Sequence, residues 1–206
     1  MGESIVMLYN NQMQKLLSAM FVALLLVGCG SDSTPSGSTD TPKAIDLEDK
    51  ETRDKILAEA IDFEILQHRD DKDGKDLFYN PKDQTPYTGW VKEIRNEKVK
   101  SLAQYKSGKA DGPWTEWDEN GHNKGTVHFK EGERDGLSIF YYKDGTERNR
   151  TTYKDGKLKT IVVWKPNGEK CPVTNVANGS GVMVWYYEDG TERNRITYKD
   201  GLKVRD

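Results

Sequence analysis

The feature that most constrains this chain is a set of glycine and aromatic columns that recur every 22–24 residues. Gly121, Gly145, Gly168 and Gly190 are separated by 24, 23 and 22 positions. A second set, Gly108, Gly132, Gly156, Gly179 and Gly201, is separated by 24, 24, 23 and 22. Four residues before the first set stand Trp117, Tyr141, Trp164 and Tyr186, and three before the second stand Tyr105, Phe129, Tyr153, Val176 and Tyr198. A third set, Gly89, Gly112, Gly136 and Gly181, marks where units begin. Self-similarity at such a period means an array of one small supersecondary unit. Residues 141–156 recur at 186–201 with two changes in sixteen, the trace of a duplicated two-unit block.

Each unit reads as strand, tip, strand, turn. Asn120-Gly121, Asp144-Gly145, Asn167-Gly168 and Asp189-Gly190 are hairpin tips, because such turns need positive φ. A Lys-x-Gly type turn closes the second strand. The unit is therefore a β-hairpin of 22–24 residues, repeated about five times. The fold class expected is mainly β, an elongated single-sheet array of hairpins. This pattern resembles the MORN-repeat variant family over about residues 86–202, whose units read Gly-x-x-x-x-Tyr/Trp-x-x-x-Gly followed by a strand closed by Lys-x-Gly. Glu97 stands where the first tip glycine belongs, and Lys159 and Cys171-Pro172 disturb the fourth unit. Those two units are expected to be the least regular. The resemblance implies a scaffold, or for some variants an antitoxin-like protein, and implies no catalysis.

Strand alternation sorts the side chains into faces. Thr115/Trp117, Ile139/Tyr141, Val162/Trp164 and Val184/Tyr186 repeat regularly, and Val127/Phe129, Thr151/Tyr153 and Ile196/Tyr198 match them on the second strand. That face reads as a thin shared core. The opposite face is uneven: Trp114, Phe140, Tyr142, Met183, Trp185 and Tyr187 form an apolar strip, bridged by Ile161 and Val163. If exposed, it is a recognition surface for another protein. The competing expectation is that a helix or a curl of the sheet covers it.

The N-terminus reads as an address. After Lys15, residues 16–28 are almost wholly apolar, too short for a transmembrane helix and suited to a signal peptide. Leu26-Val27-Gly28-Cys29 resembles the bacterial lipobox, which implies cleavage before Cys29 and lipid attachment to its thiol. Met13 makes a more conventional start than Met1, so residues 1–12 read as an over-extended gene model. Residues 29–45 then form the lipidated Cys and a Ser/Thr/Gly/Pro tether, expected to be disordered. Residues 46–85 are expected to hold a short amphipathic helix, with Ile56, Leu57, Ala60 and Ile61 at helical spacing. A hairpin cap follows, with Ile61, Phe63 and Ile65 alternating in its first strand and Leu77-Phe78-Tyr79 in its second. The repeat domain covers 86–206. The expected location is the cell envelope, at the outer membrane, because Gly30 rather than Asp follows the Cys.

Composition narrows the chemistry. Leu, Ile, Val and Phe make up about one fifth of the chain, too little for a deep two-sided enzyme core. A net charge of −3 gives no basic face for nucleic acid. Cys171 lacks a nearby His and reads as a plain structural or exposed thiol rather than a nucleophile, with no disulfide partner once Cys29 is acylated. His68-Arg69-Asp70 matches a kinase catalytic-loop tripeptide, but none of that machinery accompanies it. Asp71-Lys72-Asp73-Gly74 reads as a turn, because a calcium loop in that frame would have Arg69 at position one and Asn80 at twelve. No His/Cys cluster has zinc spacing, so neither metal nor cofactor is expected beyond the covalent lipid. The runs Glu147-Arg148-Asn149-Arg150 and Glu192-Arg193-Asn194-Arg195 could touch anionic lipid or acidic glycan, but on hairpin arms they read rather as solvated cross-strand charge pairs. The sequence thus predicts a lipid-anchored envelope protein that binds another protein without catalysis. Its rivals are an antitoxin or immunity-like protein and an envelope glycan- or lipid-binding accessory.

Overall fold

The computed structural model describes residues 45, 47–70, 74 and 76–204. Cys29, the signal segment and most of the tether lie outside the described residues. The chain is mainly β. Among the described residues a helix, α1 (Lys50–Glu59), precedes strands β1 (Ile61–Asp62), β2 (Gln67–Asp70), β3 (Asp76–Tyr79), β4 (Gly89–Arg95), β5 (Lys98–Lys106), β6 (Lys109–Trp117) and β7 (Asn123–Lys130). Then come β8 (Glu133–Tyr141), β9 (Glu147–Lys154), β10 (Lys157–Val163), β11 (Gly181–Tyr186), β12 (Glu192–Lys199) and β13 (Leu202–Lys203). Among the described residues, no helix is long and apolar enough to cross a membrane.

Helix α1 starts at Asp49, whose carboxylate accepts from the Thr52 amide at 2.8 Å, satisfying a donor the first turn leaves open. Its Ile56 and Leu57 pack with Leu47, Ala60, Leu102, Trp117, Trp90 and Val99. Lys92 fixes the docking by donating to the Leu57 carbonyl at 2.9 Å. After the helix the expected strand is shorter. Only Ile61–Asp62 pairs, in parallel with Val91–Lys92. Phe63–Ile65 turns into a 3₁₀ helix because the Asp62 side chain caps the Glu64 amide. The hairpin strand begins instead at Gln67, with β2 opposite β3.

From β4 to β10 consecutive strands pair antiparallel, and with β1 they make an eight-stranded mixed sheet. The single sheet expected from the sequence is divided, since β11–β13 form a separate three-stranded sheet and β2–β3 a two-stranded one. The reason lies in the fourth unit. Between β10 and β11 the only ladder contacts of the described chain are the isolated bridges Trp164↔Lys170 and Ala177↔Ser180. Pro172 has no amide hydrogen to offer a ladder. The first unit, by contrast, is regular. Asn96 and Glu97 both take positive φ, 50° and 61°, in a two-residue turn that joins β4 to β5 without a glycine.

The two kinds of turn differ from the expectation. Residue pairs such as Glu131-Gly132 and Asp155-Gly156 have positive φ at both positions, the two-residue hairpin geometry. At the Asn-Gly and Asp-Gly tips only the glycine does. There the amide of Gly145 bonds back to the Tyr142 carbonyl, while the Tyr142 amide bonds to Thr146. These are three-residue tips, and those at Gly121, Gly145 and Gly190 are each followed by a bulge.

That bulge reverses the face assignment. Near one tip Trp117 pairs with Asn123, but one step further Glu116 pairs with Gly125, leaving Lys124 unpaired. A one-residue shift moves every later side chain to the opposite face. Val127 and Phe129 therefore share a face with Trp114, not with Trp117. The same slip puts Thr151 and Tyr153 with Phe140, and Ile196 and Tyr198 with Met183.

Directly paired residues Val91, Ala103, Trp114, Val127, Ser138, Thr151 and Ile161 form one buried row across the large sheet. The expected strip face is thus the main core, and the expected regular face is the one that carries α1. On the core side a chain of rings runs Phe63, Phe78, Tyr105, Trp114, Phe129, with neighbouring centroids 5.4–6.4 Å apart.

The tip carboxylates give a pH prediction. Thr146 donates to Asp144 through both hydroxyl (2.6 Å) and amide (2.9 Å), and Thr191 does the same to Asp189. These bonds hold both carboxyls below their ordinary 3.8. A carboxyl depressed in the folded state stabilises it above the ordinary value and stops doing so as pH falls through the lower one. Amide-exchange protection at Thr146 and Thr191 is expected to fall as pH drops below the ordinary 3.8, and Asp144→Asn should abolish the pH dependence at Thr146. An unchanged pH profile in that variant would show that the carboxylate does not hold the tip.

Candidate binding surface

The strip predicted from sequence is largely inside. Trp114 and Tyr142 are each 5% exposed and Met183 3%. Met183 packs with Leu158, Ile161, Val163, Cys171, Val176 and Val184, and the half-buried Trp185 rests against the same cluster. Tyr142 donates its hydroxyl to the Trp164 carbonyl at 2.8 Å. Replacing Trp185 therefore removes core packing, the outcome that follows from the competing expectation of a covered strip. Tyr187 alone of the six is exposed, at 52%. The repeat-marking aromatics on the other face divide similarly: Trp117 is buried under α1, while Tyr141, Trp164 and Tyr186 are half-buried.

The strip is completed by a column the sequence reading passed over. Each regular hairpin leaves one basic residue unpaired at its bulge: Lys100, Lys124, Arg148 and Arg193. The signal was present, since Lys124, Arg148 and Arg193 lie seven positions after Trp117, Tyr141 and Tyr186. In the fourth unit that place is taken by Cys171. The bulge turns the cations over the strip. Lys124 reaches Glu116 at 3.4 Å. The Arg148 guanidinium lies 5.6 Å from the Phe140 ring centre and 5.5 Å from that of Trp185. Arg193 lies 5.7 Å from the Tyr187 ring.

Arg148 is thus no solvated charge, and the other arginines of these runs do not make the expected cross-strand pairs either: Arg150 pairs with Glu147 at 2.9 Å and Arg195 with Glu192 at 3.0 Å, each along its own strand. Burial lowers the pKa of Arg148. Its Nε, together with Ser138 Oγ and Asn149 Oδ1, has no hydrogen-bond partner among the described residues. Charge is held here mainly by ring faces, an arrangement that strengthens as water is excluded.

Cys171 is buried and free. Burial raises its pKa, but hydrogen bonds from the Thr174 hydroxyl (3.2 Å) and Tyr186 hydroxyl (3.1 Å) outweigh that and leave the thiol below its ordinary 9.0. The same bond contributes most to pushing Tyr186 up to about 12. With 2% exposure the sulfur meets no solute, so the network serves packing.

No family model matches the chain, and no curated protein does. Among solved structures, a point mutant of S. aureus TarM in complex with fondaparinux, α-GlcNAc-glycerol and UDP is 9% identical, with a TM-score of 0.19. The match covers 59% of this chain and 23% of TarM. Likeness at that level carries no argument.

Proposed function

We propose that this chain is a lipid-anchored cell-envelope protein that works by binding another protein, through MORN-like hairpin repeats and without catalysis. The observation that carries the reading is the Arg193–Tyr187 pair at one end of the strip. A half-exposed tyrosine lies under a guanidinium, and Trp185 with Arg148 continues the same chemistry inward. Tyr, Trp and Arg are the residues that dominate protein interfaces, since they offer large contact area with a polar handle. The lipobox resemblance at Leu26–Cys29 supports the anchor.

The test is capture from an envelope extract with the full chain in detergent. One stoichiometric protein should be retained by the wild type and lost with Tyr187→Ser combined with Arg193→Ala, neither of which touches the core. Retention by the double variant would refute this surface. If the retained protein is a toxin whose activity the chain blocks, the binding is of the immunity kind. Cys29→Ser should move the chain out of the membrane fraction, and continued retention would refute the anchor.

A further inference from the structure

Outside the strip, a second cluster gathers on the β2–β3 hairpin. Asp70 and Asp76 are directly opposed across the two strands. Like charges in that position oppose pairing. His68, two residues from Asp70, points to the same side, because strand side chains alternate. Its Nε2 lies 2.5 Å from Asp76 Oδ1 and 4.0 Å from Asp70 Oδ1. One ligand atom from each of the three lies within 4.8 Å of the others.

The imidazole is held from behind. The ring of Phe78, the cross-strand partner of His68, lies 5.5 Å from it. Phe78 is itself fixed: its amide donates to the Gly108 carbonyl at 2.9 Å and its carbonyl accepts from Tyr87 at 2.8 Å. Its ring also contacts Phe63 and Tyr105. The ligand-bearing strand is therefore tied to the large sheet, which lowers the cost of organising a site.

From this juxtaposition we infer that His68, Asp70 and Asp76 form a site for a divalent first-row transition ion, with Zn²⁺ the best match. Two carboxylates balance the charge of a divalent cation. Ligand atoms about 2.0–2.2 Å from such an ion stand about 2.8–3.6 Å from one another. The observed separations bracket that range, so small side-chain rotations close the site. Imidazole selects zinc and its neighbours over calcium, which takes 6–8 oxygens. The remaining positions are open to water, since the Asp70 side chain is 66% exposed. The reading differs from the calcium loop considered for residues 71–74: it uses His68 and the paired strand positions rather than the turn.

The experiment is calorimetric titration of the full chain, in detergent, with ZnCl₂. One site is expected, with affinity falling at least about tenfold in His68→Gln and in Asp76→Asn, as ligand losses do. His122→Gln, which alters another histidine beside an aspartate, should bind as the wild type does. CaCl₂ should neither bind at this site nor displace Zn²⁺. Circular dichroism confirms that each variant is folded, and selective broadening of the His68 and Phe78 ring signals by Co²⁺ gives a second readout. Absence of Zn²⁺ binding, equal affinity in His68→Gln and Asp76→Asn, or competition by Ca²⁺ would each overturn the site.

Discussion

Gly179→Ala is expected to destabilise the protein by about 3–5 kcal/mol, lowering Tm by roughly 10–15 °C. Gly179 has φ of +81°, and an added Cβ would stand 2.6 Å from the Gly201 nitrogen and 2.8 Å from the Leu158 carbonyl oxygen. Both neighbours are backbone and cannot swing aside. They also belong to the seam between the eight- and three-stranded sheets. There Gly179 donates to Lys159, Gly201 donates to Gly179, and Leu158 donates to Gly201. Gly121 offers the control. Its φ is +83°, but nothing lies within 4 Å of its would-be Cβ. Gly121→Ala carries only the left-handed strain of about 1–2 kcal/mol. Thermal unfolding of the two variants side by side reads the difference. Equal losses would mean that the seam contributes nothing.

Arg148→Ala should cost about 2–4 kcal/mol, because it removes two ring contacts between half-buried side chains together with the packing of the side-chain stem. The loss should be local as well as global. Arg148 belongs to β9 in the large sheet and Trp185 to β11 in the small one, so the guanidinium spans the division between them. Hydrogen exchange in β11–β12 is expected to accelerate about a hundredfold, with β4–β7 changed far less. Arg148→Lys should recover only part, since an ammonium lacks the flat face that stacks on a ring. Arg193→Ala, at the equivalent position of the duplicated block, should leave Tm within about 2 °C of wild type. Uniform exchange across all strands in Arg148→Ala would refute a clasp.

The spacing of glycines and aromatics made the strand-turn alternation legible because each hairpin is built from local chemistry. What it missed came from single-residue events. One unpaired Lys124 or Arg148 per hairpin shifts the register, so the second strand's apolar residues join the expected strip in the main core while α1 covers the other face. Local alternation has no memory of a bulge, so only the pairing partner reveals the face. The division of the sheet was foreshadowed at Cys171-Pro172, yet the regularity of the first unit was not. Asn96-Glu97 makes its turn without glycine, at a cost that the surrounding ladder outweighs. The His68 cluster was invisible for the same reason as the faces. Asp76 joins His68 only through the strand pairing.

The near-identity of residues 141–156 and 186–201 has a kinetic consequence. Asn149 is 2% exposed and Arg148 is clasped between two rings, whereas their counterparts Asn194 and Arg193 lie on the surface. Two segments almost alike in sequence are thus fitted, as far as local chemistry goes, to one interior place. The two differences, Lys143 against Glu188 and Thr151 against Ile196, are all that distinguishes the right occupant within these sixteen residues. Thr151 fills a buried row where Ile196 would put an ethyl group in place of the hydroxyl, so overpacking and the loss of the bond from Asn149 penalise the mistaken arrangement. Repeat proteins pay for duplication in misassembly and strand exchange between neighbours.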